Sequence, residues 1–248
     1  MSTLLAGAFA GPHFSLTSPN PQFHQQLDPW SLPNLIGLSG GACWVLLYVV
    51  AVYYGVKNKS FAIPAFAIPF NFSWELLTSF VVPNPVAAWM WVNRVWFAID
   101  CILVAQTLRY GASEQLTQSG KRYFPWLLAI IGCFALSSQY GYILTFQDSL
   151  GYEVAFVIDV LMSFLFIDRY FERPDHSTPA FAIAWFKLLG NLGVSIQTYV
   201  LFPQIHPQVP SFAFFHVLYV TLFVLDAIYI ALLWIGRRNA SASSPSRS

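Results

Sequence analysis

The sequence predicts an all-α membrane protein, built as a bundle of seven transmembrane helices. Its 248 residues are 56% hydrophobic and 18% aromatic, and only 9% are charged. A soluble domain carries about 25% charged residues, so the composition excludes that class. Seven apolar stretches follow one another along the chain, and the basic residues occupy alternate connections between them.

Each predicted helix contains about 20 mainly apolar residues, enough to cross about 30 Å of hydrocarbon. The seven stretches are Leu35–Val56, Phe61–Val82, Trp89–Leu108, Phe124–Thr145, Leu150–Phe171, Ala180–Phe202 and Phe212–Ile235. A polar N-terminal segment (1–34) and a serine-rich tail (236–248) flank them. Because no loop could hold a soluble catalytic domain, we expect residues 35–235 to form a transmembrane catalytic domain.

Lys and Arg residues are concentrated at one end of the predicted bundle. They follow the first, third, fifth and seventh helices, at Lys57, Lys59, Arg109, Lys121, Arg122, Arg169, Arg173, Arg237, Arg238 and Arg247. Because short cytoplasmic loops retain basic residues, we expect the N-terminus outside or in the lumen and the C-terminus in the cytoplasm. The membrane would be the endoplasmic reticulum in a fungal host and the plasma membrane in a bacterial one.

Several kinds of partner are disfavoured by the sequence. The net charge is +1 and there is no run of basic residues, so we expect no nucleic-acid partner. The chain has no DDxxD cluster to hold magnesium and a diphosphate, and its five histidines lack ligand spacing on one helix face. We therefore expect no metal and no cofactor. The sequence carries no signal for an oligomeric state.

Six ionisable side chains fall within the predicted helices, where each costs about 2.5–3.5 kcal/mol on insertion scales. The acids are Glu75, Asp100, Asp159 and Asp226, and the bases are Arg94 and Lys187. Four acids against two bases leave two carboxyl groups without a cation, and burial favours their neutral, proton-donating form. Two of the acids are therefore candidates for acid catalysis.

Helical spacing suggests surroundings for two of these acids. Asn71 and Thr78 share a face with Glu75 and form a polar stripe that could border a cavity. Tyr229 lies on the face of Asp226.

The other two acids have candidate basic partners. Asp100 shares a face with Trp96 and could pair with Arg94, whereas Asp159 could pair with Lys187. All six ionisable groups could instead serve as polar contacts that hold the helices together. The residues alone leave open which acids would be catalytic.

Aromatic residues are also abundant within the predicted helices, for example Trp74, Trp89 and Trp96. Most of them would lie at the membrane interface. Those that face inward would present π-faces, each worth about 0.5–2 kcal/mol to a cation. Neutral acids beside aromatic walls suit the chemistry of carbocations.

Three motifs resemble a known family. They are Asn71-Phe72-Ser73-Trp74-Glu75, the Arg94-x-Trp96 and Asp100 pattern ahead of Tyr110-Gly111, and Asp226-Ala227-Ile228-Tyr229. Together with the length and the helix count, they are similar to those of the seven-helix membrane-integrated terpene cyclases of fungal meroterpenoid and indole-diterpene biosynthesis, which have bacterial relatives.

This resemblance implies an isomerase of secondary metabolism. Its substrate would be an epoxidised prenyl chain on an aromatic, polyketide or indole head, cyclised through a carbocation after the epoxide is protonated. It further implies that Glu75 and Asp226 are the essential acids. We expect supporting contributions around the cavity from Asn71, Trp74, Arg94, Trp96, Asp100, Asp159 and Tyr229.

A different class of function stays open at this stage. The pentapeptide Pro-Ala-Phe-Ala-Ile occurs at Pro64–Ile68 and again at Pro179–Ile183, near the starts of two predicted helices. Such a match could record a parallel repeat of three helices, as in some transporters. The alternative is therefore a proton-coupled carrier of small solutes.

Overall fold

A computed structural model describes residues 28–82, 87–114, 117–146, 148, 150–173, 175, 177–205 and 211–242. All regular secondary structure in these ranges is helical, which confirms the all-α prediction. The helices are α1 (Leu32–Asn58), α2 (Ala67–Leu76, continued by a π-helical turn at Leu77–Val81), α3 (Ala87–Glu114), α4 (Gln118–Phe146), α5 (Tyr152–Glu172), α6 (Thr178–Ile205) and α7 (Ala213–Ala242). Residues 1–27 of the predicted N-terminal segment (1–34) lie outside the described residues.

Five of these helices, α1, α3, α4, α6 and α7, are long and apolar enough to cross a membrane. They indicate an integral multi-pass membrane protein. The other two predicted spans have a different character: α2 is short even with its π-helical turn, and α5 carries five charged side chains along its length. Helix α7 also continues through the first residues of the predicted tail.

Helix α2 begins later than the sequence pattern predicted. The predicted start was Phe61, but residues 61–66 form turns and the helix starts at Ala67, whose N–H donates to the Pro64 carbonyl at 2.9 Å. Pro69 has no N–H to donate, and it falls in the first turn of α2, where backbone N–H groups have no partner within the helix. A helix that starts at Ala67 therefore loses no hydrogen bond at Pro69.

The repeated pentapeptide takes two different conformations. Pro64–Ile68 runs through the turn into α2, whereas Pro179–Ile183 lies wholly within α6. The match in sequence therefore does not correspond to a match in local structure.

Helices α1 and α6 pack against each other more extensively than any other described pair. Glycines make this possible. A Cβ atom on Gly193 would lie 2.8 Å from the Cα of Gly40, and a Cβ on Gly40 would lie 2.7 Å from the Gly190 carbonyl oxygen. The two backbones therefore touch directly, as at small-residue interfaces of membrane helices. This contact brings Trp44 of α1 close to Lys187 of α6, with the Lys187 Nζ 6.0 Å from the ring centroid.

At the end where the basic residues lie, one carboxylate joins three parts of the chain. Glu114, the last residue of α3, accepts hydrogen bonds from Arg173 at 2.7 Å and from the Ser60 hydroxyl at 2.5 Å. Arg169 lies 3.8 Å from the same carboxylate. The contacts hold the ends of α3 and α5 against the connection between α1 and α2.

The connection between α4 and α5 contains a buried carboxyl group. Asp148 accepts hydrogen bonds from the backbone N–H groups of Tyr152 at 3.0 Å and Val154 at 3.1 Å, and thereby caps the first turn of α5. Burial is the main influence on this group and raises the pKa of Asp148 to about 7, although the backbone hydrogen bonds oppose the shift.

Replacing Gly40 by alanine should destabilise the protein by about 1–3 kcal/mol, because the added methyl group meets backbone that has no free side chain to move. Gly141→Ala is the matched control, since a Cβ at that position of α4 has no atom within 4 Å. Thermal unfolding in detergent compares the two variants. Equal melting temperatures for them would contradict direct backbone contact between α1 and α6.

The Asp148 carboxyl should make stability depend on pH. Its pKa in the folded state, about 7, lies above the value of about 3.9 for an exposed aspartate, so the folded protein binds this proton more tightly. Its contribution is complete below about pH 4 and is lost as the pH rises through 7. In Asp148→Asn, which keeps an acceptor oxygen but cannot ionise, the fall in melting temperature between pH 5 and pH 8 should be smaller than in the wild type. An equal fall would contradict the assignment.

Candidate active site

A narrow cavity of about 50 Å³ lies between α1, α2, α3, α5 and α6. Its walls are mainly aromatic, and two carboxyl side chains, Glu75 and Asp159, also line it. The aromatic side chains are Trp44, Tyr48, Trp74, Trp89, Trp96, Tyr152 and Phe156. The cavity therefore combines ionisable groups with several π-faces.

Helical periodicity explains how the walls are built. On α3, Trp89, Asn93 and Trp96 recur at spacings of four and three residues and so lie on one face. The same spacing on α5 places Tyr152, Ala155, Phe156 and Asp159 on the cavity side. The Trp74 indole N–H donates to the Gly151 carbonyl at 2.7 Å, which fixes α2 against the start of α5.

Glu75 lies in a buried polar cluster between α1, α2 and α3. Its Oε1 accepts hydrogen bonds from the Tyr48 hydroxyl at 3.0 Å and from the Asn71 Nδ2 at 2.9 Å. The same Asn71 nitrogen lies 2.9 Å from the Oδ2 of Asp100. Glu75 is 1% exposed and Asp100 is 0% exposed. The Asn71 amide therefore bridges the two carboxyl groups.

The protonation of this pair follows from its surroundings. Among the described residues, no cation lies within 4 Å of either carboxyl group. The Glu75 Oε2 and the Asp100 Oδ1 are buried and receive no hydrogen bond from any described residue. Two adjacent carboxylates without a cation repel each other in a medium of low dielectric constant. A proton held by the pair removes the repulsion and supplies the missing donor.

Asp226 has the opposite environment. Its Oδ1 accepts from Lys187 at 2.8 Å and from Ser163 at 2.9 Å, and its Oδ2 accepts from Asn191 at 2.8 Å. The carboxyl group and the Lys187 ammonium are both almost completely buried. This is a compensated ion pair with additional donors, which favours the ionised form of both groups.

The two clusters share a pattern. In each, an asparagine donates to the aspartate of the following helix: Asn71 of α2 to Asp100 of α3, and Asn191 of α6 to Asp226 of α7. The residue on the same face four positions away differs, since it is Glu75 in the first cluster and Lys187 in the second. The negative charge of Asp226 is therefore balanced by the Lys187 ammonium, whereas the Glu75 and Asp100 pair needs a proton to reduce its charge.

Two of the pairings suggested by the sequence were wrong. Lys187 forms its ion pair with Asp226 and not with Asp159. Arg94 does not pair with Asp100; its guanidinium lies 5.0 Å from the ring centroid of Trp91 and 5.8 Å from that of Phe80, on a different face of α3. Spacing along one helix does not tell which side chain of another helix stands opposite.

The other predicted site residues lie in several places. Asn71, Trp74, Trp96 and Asp159 line the cavity, and Asp100 lies directly behind Glu75. Asp226 is not among the described lining residues, although its partner Lys187 lies behind Trp44. Tyr229 lines a second, more polar cavity at the basic end, together with Tyr54, Arg169 and Asp175.

Sequence reasoning missed several lining residues, among them Trp44, Tyr48 and Phe156. Trp44 and Tyr48 lie four residues apart on α1, on the face that also carries Gly37 and Gly41. A tryptophan and a tyrosine on a glycine-rich helix face were the available signal. No comparable signal distinguishes Phe156 from the other phenylalanines.

Comparison with known protein families gives one match over most of the chain. Residues 16–239 match the family described as Pyr4-like transmembrane terpene cyclases. No solved structure matches the chain.

Individual proteins similar to this chain are fungal. The chain is 25% identical to terpene cyclase andB of Emericella variicolor over 33% of its own length and 34% of that protein. It is 30% identical to terpene cyclase ascF of Acremonium egyptiacum over 36% of its own length and 33% of that protein. These alignments span about a third of the relatives. With terpene cyclase pyr4 of Aspergillus fumigatus, 22% identity extends over 92% of this chain and 95% of the relative.

The ion pair beside the cavity should show strong coupling between its partners. Lys187→Met leaves a buried carboxylate without its cation and Asp226→Asn leaves a buried ammonium without its anion, so each should cost about 3–5 kcal/mol. The double variant removes both charges and should recover most of the loss. Thermal unfolding of the wild type, the two single variants and the double variant in detergent gives the coupling free energy between Lys187 and Asp226. A double variant as unstable as the sum of the singles would contradict the pair.

Proposed function

The chain belongs to the Pyr4-like transmembrane terpene cyclases, and we propose that it cyclises an epoxidised prenyl chain carried on an aromatic, polyketide or indole head. The reaction begins when Glu75 protonates the epoxide oxygen. The product has the same mass as the substrate, so the enzyme is an isomerase of secondary metabolism.

One observation carries this proposal: a buried carboxyl group that has no cation borders a cavity with aromatic walls. Glu75 lines the cavity, and the Asn71 amide links it to Asp100 behind it. A neutral acid beside an apolar cavity can donate a proton to an epoxide oxygen at neutral pH. The surrounding tryptophan faces can stabilise the positive charge that develops on the prenyl chain.

The site also supports the later states of the reaction. When Glu75 gives up its proton, the strained C–O bond opens and the neighbouring alkenes attack the developing cation in turn. The Tyr48 hydroxyl and the Asn71 amide already donate to the Glu75 Oε1, so they stabilise the carboxylate that forms. Apolar walls limit the access of water, which would otherwise capture the cation.

In this proposal Asp226 is a positioning residue. Its three hydrogen-bond donors favour a carboxylate over a proton donor. That carboxylate holds Lys187 behind Trp44, on the other side of the cavity wall from the reacting chain. Loss of Asp226 would therefore disturb the reaction in two ways: it would change the packing behind Trp44, and it would leave the charge of Lys187 uncompensated.

The proposed setting is the endoplasmic reticulum membrane, because the similar proteins named above are fungal. All seven helices would cross the bilayer, with the N-terminus in the lumen and the basic end in the cytoplasm. The five apolar helices and the arrangement of the basic residues support this topology. A prenyl chain dissolved in the bilayer could then reach the cavity laterally.

Membranes that contain the protein should convert an epoxyfarnesyl-substituted phenol into a cyclic isomer, detected by chromatography with mass spectrometry. Glu75→Gln should lower the conversion by about 10²–10⁴-fold, because the amide cannot supply the proton. Asp226→Asn should also lower it, together with the stability of the protein.

Glu172→Gln is the control for Glu75→Gln, since this glutamate is exposed at the far end of α5. It should convert the substrate like the wild type. Full conversion by Glu75→Gln would contradict the assignment of the acid. A folded wild type that converts none of several head groups and chain lengths would contradict the proposed reaction and favour the carrier.

A further inference from the structure

The cavity has a second carboxyl group, on a different helix from Glu75. Asp159 of α5 follows Tyr152, Ala155 and Phe156 on the face that lines the cavity. Unlike Glu75, Asp100 and Asp226, it is only partly buried, and it forms no ion pair within 4 Å among the described residues. Its carboxyl group is thus available to a molecule in the cavity.

The charges around Asp159 differ from those around Glu75. Lys187 and its partner Asp226 are both near enough to interact electrostatically with Asp159, and their charges act in opposite directions. Ser163, one helical turn further along α5, donates to the Asp226 carboxylate and contacts the Lys187 ammonium. The positive charge of Lys187 favours an ionised Asp159, whereas burial and the Asp226 carboxylate oppose it, so Asp159 can accept a proton as well as release one. The Glu75 side of the cavity has two carboxyl groups and no such cation.

We propose that Asp159 is the base that removes the last proton and ends the cyclisation. This inference rests on the proposed function. A C–H bond next to the final cationic carbon breaks, its electron pair forms the new C=C bond, and the proton goes to a carboxylate oxygen of Asp159. Glu75 has by then given its proton to the epoxide oxygen, which becomes a hydroxyl group. The substrate gains one proton and loses one, so its mass does not change.

The other polar groups of the cavity are poorer candidates for this step. Asp100 lies behind Glu75 and is completely buried, and Asp226 is surrounded by Lys187, Ser163 and Asn191. The hydroxyl groups of Tyr48 and Tyr152 are weak bases beside a carboxylate. Glu75 on α2 therefore supplies the initiating proton, and Asp159 on α5 receives the final one.

The two carboxyl groups should give different phenotypes with the same epoxyfarnesyl-substituted phenol. Asp159→Asn keeps Glu75, so it should still consume the substrate, but the share of the main alkene should fall about tenfold or more. Double-bond isomers and the alcohol formed by capture of water should replace it. Asp168→Asn is the control, because this aspartate lies on the same helix and is exposed; it should give the wild-type product ratio.

A second readout separates a base from a structural residue. With substrate deuterated at the carbon that loses the proton, the wild type should shift its product ratio towards products that retain the label. In Asp159→Asn the isotope effect on the residual main alkene should differ in size, because another base then removes the proton. Asp159→Ser supplies the same comparison if the asparagine variant does not fold.

The outcomes distinguish the two proposals. An unchanged product ratio in folded Asp159→Asn or Asp159→Ser, with an active wild type, would overturn the role of Asp159 and leave the cyclase intact. A wild type that forms no cyclic isomer would overturn the proposed function and this inference together. A changed ratio in the Asp168→Asn control would also count against a specific role for Asp159.

Discussion

An ionised side chain inside an apolar helix bundle costs several kcal/mol unless an opposite charge and hydrogen-bond donors surround it. The buried acids of this chain meet that requirement in two ways. Asp226 has the ammonium of Lys187 and two further donors. Among the described residues, Glu75 and Asp100 have only the neutral donors Tyr48 and Asn71, so their stable form includes a proton. The proposed chemistry depends on this difference.

Helix packing then decides what each cluster can act on. The glycine contact between α1 and α6 places Trp44 in front of Lys187, so the ion pair lies behind a wall of the cavity. The hydrogen bond from Trp74 to Gly151 holds α2 against α5 and keeps Glu75 and Asp159 on the same cavity. The positions of Glu75, Asp159 and the aromatic walls thus depend on the glycine contact between two backbones and on the Trp74 indole. Backbone and indole rings are both rigid groups.

The sequence predicted the local features of the fold and of the site well. Apolar stretches located the helices, and the count of intramembrane charges found four acids against two bases without deciding which acids would be catalytic. The family motifs then added the names of the essential acids. Pairings between helices could not be predicted, because spacing along one helix is the same whether Lys187 faces Asp159 or Asp226. The start of α2 was also missed, since a window of hydrophobic residues does not show where within an apolar stretch the helix begins.

The central claim is that the Glu75 and Asp100 pair holds a proton inside the bundle at neutral pH. Infrared difference spectroscopy between the wild type and Glu75→Gln, with Asp226→Asn measured in parallel, tests it directly. The account predicts that Glu75→Gln removes the C=O band of a protonated carboxylic acid, whereas Asp226→Asn removes carboxylate bands. Loss of carboxylate bands alone from Glu75→Gln would contradict the claim.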